Sequence, residues 1–372
     1  VNLTWSAADE VFRQRMTAFL AEHAPGKPPK DPAARLQFAK DWAATKYEHG
    51  FAAPSWPKDA GGMELPFTQQ VIYQEEMAKA RVPSHPGTGI NMVGPTIIRY
   101  GTAEQRERYL RPMLRADELW AQAFSEPDAG SDLPSLRTTA VRDGDTYVVT
   151  GQKVWNTNAD KADMFFTLVR TGTQESRQSG ISYLLVDAHS PGVSVRPLRD
   201  LTGEPHFCEI FFDEVRVPVA NRIGEENRGW AIARTTLGHE RAAEALNQAA
   251  FYQRIVDELV ALAKERGIST DPLIRDGLAQ YAIKTRLMLV NAMRTVTAII
   301  ATGEPGPAAS ISRLYNSTFE RDLHAFATDL LGPFGALGRD DAHAVQRGRW
   351  VWGMLRTRAS TIGAGTAEIQ RN

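Results

Sequence analysis

Tyr147-Val148-Val149, Phe165-Phe-Thr-Leu-Val169, Ile181-Ser-Tyr-Leu-Leu-Val186 and Glu209-Ile-Phe-Phe212 are four short runs of β-branched and aromatic residues. Gly, Asp and Pro turns separate them. That texture predicts a compact antiparallel β-domain over residues 120–223. Everything on either side reads as helix. Upstream, Phe12, Met16, Phe19 and Leu20 fall on one helix face, and Pro25, Pro28 and Pro29 stop that helix. A turn-rich patch at 54–62 precedes a second helical run at 66–80. Downstream, one long run is expected from about 230 to 266, stopping at Gly267. Asp271-Pro272 then supplies an N-cap and a first-turn proline for a helix reaching about Thr302. Runs at 305–331 and 339–360 complete a four-helix bundle. The fold class expected is therefore multidomain α and β. An N-terminal all-α domain spans 1–119, a middle antiparallel β-domain 120–223, and a C-terminal four-helix bundle 224–372.

Composition narrows the function. The chain has 372 residues, 43 Lys+Arg against 44 Asp+Glu, eight His and one Cys. A net charge of −1 supplies no global field for polyanions, which argues against a nucleic-acid binder. Cys208 has no disulfide partner, and the histidines show no paired metal-ligand spacing, so no metal site is expected. No apolar run reaches the roughly 18 residues of a membrane span. No Gly-x-Ser-x-Gly elbow marks a serine hydrolase. A cytoplasmic enzyme or binding protein is expected. The sequence opens at Val1 rather than Met and halts just past its last motif, so both ends are expected to be trimmed.

Three segments carry candidate chemistry. Gln122-Ala-Phe-Ser-Glu-Pro-Asp-Ala-Gly-Ser131-Asp132 joins the helical and β blocks as a tight loop with hydroxyls and free backbone N–H groups. Gly151-Gln-Lys-Val-Trp155-Asn-Thr157-Asn158 places a Trp beside a Thr at a strand end. Ile362-Gly-Ala364-Gly365-Thr366-Ala-Glu368-Ile-Gln370-Arg371 closes the chain. Singly, each passes for a turn, a sheet tryptophan or a helix terminus. In this order, inside an α, β, α arrangement, the chain resembles the acyl-CoA dehydrogenase family over essentially its whole length. Phe211-Phe-Asp-Glu-Val-Arg-Val-Pro218, closing the β-domain, belongs to the likeness.

The resemblance implies FAD, held between the β-domain and the bundle. Position by position, Ser125 matches the hydroxyl near flavin N5, and Gln122 and Phe124 match neighbouring backbone contacts. Ser131 matches a hydroxyl on either the pyrophosphate or the CoA arm. Trp155 matches the aromatic packed on the flavin edge, and Thr157 a hydroxyl near N5. Thr366 and Glu368 match C-terminal cofactor contacts. Gly363 and Ala364 match the substrate side. A planar tricycle needs an apolar wall and donors where charge collects on reduction, and these residue types supply both.

Removing an α-proton from an acyl-CoA thioester needs a carboxylate opposite the flavin. Many members carry it immediately before the Gly-Thr of the last motif, where this chain has Ala364. Isovaleryl- and long-chain-type members place it instead on the first bundle helix. Leu237-Gly-His239-Glu240-Arg241 fits that arrangement, so Glu240 is the expected catalytic base. Arg241 is expected on the CoA arm or in orienting the site; a helix ion pair with Glu240 or Glu244 competes. The expected product is a trans-2-enoyl-CoA, with electrons passing to electron-transferring flavoprotein. A Gly at 363 leaves room for a branched or bulky acyl group, such as a sterol side chain.

Two family elements are altered. An Arg-x-x-Phe-Gly that reaches the FAD of a neighbouring subunit is reduced to Arg266-Gly267 without the Phe, and Asp329 and Pro333 replace a Gln and a Gly. Either a divergent homo-oligomer or a hetero-oligomer of dimer or tetramer size is implied. Two alternatives stand beside the dehydrogenase: a subunit that only completes a partner's FAD site, and an acyl-CoA oxidase-like flavoprotein.

Overall fold

The computed structural model describes residues 5–302, 308–339, 341–363 and 365–371; for 238–247, 250, 296, 299–302 and 308–310 it describes backbone alone. Two compact units make up the chain, Trp5–Glu240 and Arg241–Asn372.

The first unit opens with α1 (Ala7–His23), started by a reciprocal Ser6–Asp9 capping box. Its buried face is Phe12, Met16, Phe19 and Leu20, the face expected from the periodicity. Then come α2 (Pro32–Glu48), capped by Asp31 with Pro32 in its first turn, and α3 (Phe67–Ala80). Next are α4 (Gly94–Tyr100) and α5 (Ala103–Arg115), the latter with a Thr102–Gln105 capping box. The patch at 54–62 buries Trp56, whose Nε1 donates to the Ile90 carbonyl at 3.0 Å. α4 packs so closely that a Cβ at Gly94 would strike the Trp56 indole.

Eight strands follow: β1 (Trp120–Ala123), β2 (Thr139–Asp143), β3 (Thr146–Thr157), β4 (Met164–Arg170), β5 (Ile181–Asp187), β6 (Val193–Leu198), β7 (Phe207–Pro218) and β8 (Arg222–Ile223). They form one sheet in the order β6-β7-β3-β2-β4-β5-β8, with β1 on β4. The sheet is antiparallel except that β1 runs parallel to β4, and β2 touches β4 in parallel at Thr139 and Arg170. Both faces are covered. Phe166, Leu168, Tyr183 and Leu185 share a core with Trp56, Val93, Ile97 and Met113 of the preceding helical region. Phe165, Val169, Leu184 and Val186 pack on the other side with Tyr147, Ile210 and Phe212. Strands buried on both faces become continuous apolar runs, which is why β4 and β5 stand out in the sequence.

α6 (Gly229–Glu265) leaves the sheet. In the second unit, Gly267 ends α6 with φ 72°, and α7 (Pro272–Thr302) starts where the Asp271 carboxylate accepts from the Leu273 N–H at 2.8 Å. α8 (Ala308–Leu330), α9 (Arg349–Arg356) and α10 (Ala367–Arg371) follow. Leu259, Leu262, Met288, Phe319, Leu323 and Trp350 form the core. The fourth bundle helix is shorter than the expected 339–360. Gln346, Arg347 and Gly348 sit in the left-handed region at φ 48°, 59° and 67°, so the α-helix begins only at Arg349. It gives way to a 3₁₀ turn at Thr357–Thr361. Among the described residues no helix is long and apolar enough to cross a membrane.

In the first unit, His85 follows α3 and has Nε2 3.0 Å from the Met113 carbonyl oxygen of α5. Desolvation, then the charge of buried Lys46, pushes its pKa down to about 3. Below its ordinary value of 6.5 the unfolded chain takes up a proton that the folded imidazole refuses. Stability from this group is present above that value and is lost as pH falls toward 3. His85→Gln is expected to flatten the pH dependence of thermal unfolding between pH 6.5 and 4 while changing little at pH 8. Parallel curves for variant and parent across that range would contradict it.

Candidate functional site

The segment after β1 is built around a buried charge. Glu126 and Ala129 exchange backbone hydrogen bonds at 3.0 and 3.1 Å, making a tight turn with Pro127 and Asp128 exposed. The Glu126 carboxylate accepts from the Arg137 and Thr138 N–H groups at 2.6 and 2.9 Å, which closes the loop on itself. The Nζ of Lys153, wholly buried on β3, donates to Glu126 Oε1 at 2.8 Å and to the Phe124 carbonyl at 3.0 Å. Burial pushes the Lys153 ammonium down to about 8, against the opposing pull of Glu126. Burial acts to raise the Glu126 carboxyl, but the Lys153 charge and the hydrogen bonds hold it below the usual carboxylate range. At the loop's far end, buried Arg170 donates to the carbonyls of Pro134 at 2.6 Å and Leu136 at 3.2 Å.

β3 is irregular at the neighbouring residues. Lys153 pairs with Ile210 and Asn156 with Cys208, so β3 carries one residue more than β7 between the two pairs. The bulge resets the alternation: Lys153 and Val154 are both buried, Trp155 is exposed, Asn156 buried and Thr157 exposed. Trp155 is 62% exposed and adopts φ 62°. A left-handed aromatic residue costs about 1–2 kcal/mol and persists only where its surroundings fix it. Its ring meets Phe207 edge-on at 6.0 Å.

The structure brings several expected residues together here. Ser125, half-buried, accepts the Val154 N–H at 3.0 Å, which sets it against the residue preceding Trp155. Gln122 gives its carbonyl to the Asn156 side chain at 2.7 Å. The Phe124 ring turns inward, edge-on to Phe166 and Tyr183 at 5.6 and 5.8 Å, so only its main chain faces the loop. Ser131 is exposed next to Gly130, where an added Cβ would meet nothing. An exposed aromatic wall with hydroxyls at 125 and 157 suits a flat ligand with polar atoms at its rim.

In the second unit, Arg313 donates to the carbonyls of Ser360 at 2.8 Å and Gly363 at 2.5 Å. Gly365 has φ 90°, and Thr366 accepts the Ile369 N–H at 3.2 Å to start α10. Glu368 is exposed in its first turn. Arg266 lies over the Phe334 ring at 5.2 Å, so the arginine lacking a Phe in its own segment finds one from another. Asp329 and Pro333 are exposed. Glu240 and Arg241 lie on α6, their side chains outside the described residues, as is Ala364. Among the described residues no group of three or more His, Cys, Asp or Glu could hold a metal ion.

Sequence reasoning missed Lys153, Glu126, Asn156, Arg170 and Arg313. A signal was present for the first: a lysine at an inward position of an apolar strand needs a buried partner.

Three family models match in order: acyl-CoA dehydrogenase N-terminal domain over residues 6–117, middle domain over 121–215 and C-terminal domain over 227–372. Acyl-CoA dehydrogenase IpdE1 of Mycobacterium tuberculosis is 35% identical, covering 98% of this chain and 95% of its own. The ChsE4–ChsE5 complex from the same organism superposes with a TM-score of 0.85 at 31% identity, over 100% of this chain and 97% of the other. The Tcur3481–Tcur3483 steroid ACAD gives 0.85 at 29% identity over the same shares.

Removing one member of a buried ion pair strands the other. Lys153→Met is expected to cost about 3–5 kcal/mol of unfolding free energy. Lys153→Met with Glu126→Gln should recover more than half of that. Urea unfolding of both proteins measures it, and equal losses would show that the charges are not coupled.

Proposed function

The chain belongs to the acyl-CoA dehydrogenase family, and from that premise we propose that it oxidises an acyl-CoA thioester to the trans-2-enoyl-CoA with FAD as its flavin. The observation that carries the reading is Trp155, exposed on a left-handed bulge, with exposed Thr157 two residues on and the Ser125 main chain tied to its neighbour Val154. These residue types fit an isoalloxazine: an exposed aromatic wall, with hydroxyl residues at 125 and 157 for its polar rim. When bound, the flavin supplies the two-electron acceptor.

The protein's own part is positioning and proton transfer. Trp155 would pack on the ring edge, Ser125 and Thr157 would hydrogen-bond its rim, and the main chain at Gln122 and Phe124 would line it. Ser131 serves the pyrophosphate or the CoA arm. Thr366 and Glu368 contribute cofactor contacts. By family resemblance, Gly363 and Ala364 are assigned to the thioester side and Arg241 to the CoA arm. Glu240 would take the α-proton of the thioester, the bound flavin accepting the β-hydride. An alanine at 364 cannot accept a proton, which leaves Glu240 as the family-consistent carboxylate.

Small residues at 363 and 364 support a bulky acyl group, and two matched structures are titled steroid ACAD. We therefore favour a branched or alicyclic thioester, with electron-transferring flavoprotein as acceptor. A second reading is FAD shared with a different partner chain. It is favoured by exposed Asp329, a carboxylate where the family has a neutral amide.

Glu240→Gln is expected to keep its flavin but lose about 10³-fold in the rate at which an acyl-CoA bleaches it anaerobically. Bulky acyl-CoAs should bleach the parent faster than straight-chain ones. Bleaching of Glu240→Gln at the parent's rate removes the assignment.

A further inference from the structure

We propose that Lys153 and Asn156 are positioning residues that clamp the 122–126 segment to the β3 bulge and so fix the flavin-facing geometry of Ser125, Trp155 and Thr157. The proposal rests on the flavin reading above and concerns how that face is held.

Three donors from consecutive parts of β3 reach three carbonyls of one segment. Asn156 Nδ2 donates to Gln122 at 2.7 Å, Lys153 Nζ to Phe124 at 3.0 Å, and the Val154 N–H to Ser125 at 3.0 Å. Every residue flanking Trp155 from 153 to 156 is thereby tied to the loop that carries Ser125. A left-handed tryptophan has no intrinsic reason to stay so. Ties on both sides hold it there, with the side chain facing out.

Stability alone does not account for the choice of residues. A buried ion pair is often no more stable than apolar residues of equal volume. Asn156 is 3% exposed, and its Oδ1 has no hydrogen-bond partner, a cost that a leucine of similar shape would not carry. What Lys153 and Asn156 supply, and apolar residues cannot, is a fixed distance between two main chains.

The test uses Asn156→Leu and the double variant Lys153→Met with Glu126→Gln, chosen because neither leaves Lys153 or Glu126 charged without the other. Thermal unfolding of the flavin-free proteins reports folding. FAD fluorescence quenching gives the dissociation constant, and visible circular dichroism of the bound flavin reports ring geometry. Asn156→Leu should remain folded, bind FAD about tenfold more weakly and show an altered flavin dichroism. The double variant should fold and show the same two changes, more strongly. Folded variants with parental affinity and dichroism overturn the clamp alone. A parent that binds no flavin overturns the functional reading and the clamp together.

Discussion

A lysine ammonium enclosed by protein is among the least comfortable groups a sheet can carry, and the loop beside β3 is organised around one. Lys153 is wholly buried, so its charge must be met inside. Glu126 meets it at 2.8 Å and the Phe124 carbonyl at 3.0 Å. Glu126 in turn must spend its remaining lone pairs, and the Arg137 and Thr138 N–H groups take them. One buried charge thus dictates the path of the chain from 124 to 138. An alternative course would leave either the ammonium or the carboxylate unpaired.

The sheet makes that loop possible by being covered on both faces. Helices occupy one side, so β4 and β5 contribute apolar side chains in both directions. β1 joins by parallel pairing to β4, and the chain from Gln122 to Glu126 is hydrogen-bonded to β3. The bulge then converts a regular strand into one that buries Lys153 and Val154 in succession and turns Trp155 outward. Burial of charge and exposure of an aromatic ring are two consequences of the same inserted residue.

The sequence was legible where periodicity was strong. The α1 face of Phe12, Met16, Phe19 and Leu20 could be read, as could β4 and β5. β1, β2, β6 and β8 could not. They are short, or half exposed like β6 with its interior Pro197, so neither alternation nor an apolar run announces them. The shortened fourth helix was hidden for another reason. Gln346 and Arg347 adopt left-handed angles that nothing in their side chains foretells. Among the proposed site residues, Ser125, Trp155 and Thr157 were picked out through family resemblance. Their support was not, because a hydrogen bond between Asn156 and Gln122 depends on a bulge register that only pairing with β7 reveals.

Moving the proposed base from the terminal loop to α6 has a physical consequence. The loop ending at Gly363 is held by Arg313 through two carbonyls and need not present an acid. α6 begins in the unit that contains the sheet, with Ile232 and Ala233 in the shared core. The Thr96 and Thr236 hydroxyls hydrogen-bond at 2.8 Å, and Tyr100 reaches Thr235 at 2.9 Å. Glu240 follows Thr236 by one helical turn. Its backbone is therefore referenced to the helices that pack on the sheet, not to a glycine-rich terminus. A proton acceptor must keep its place to within a few tenths of an ångström, and a helix pinned by two hydroxyl contacts, one of them buried, is better suited to that than a turn of small residues.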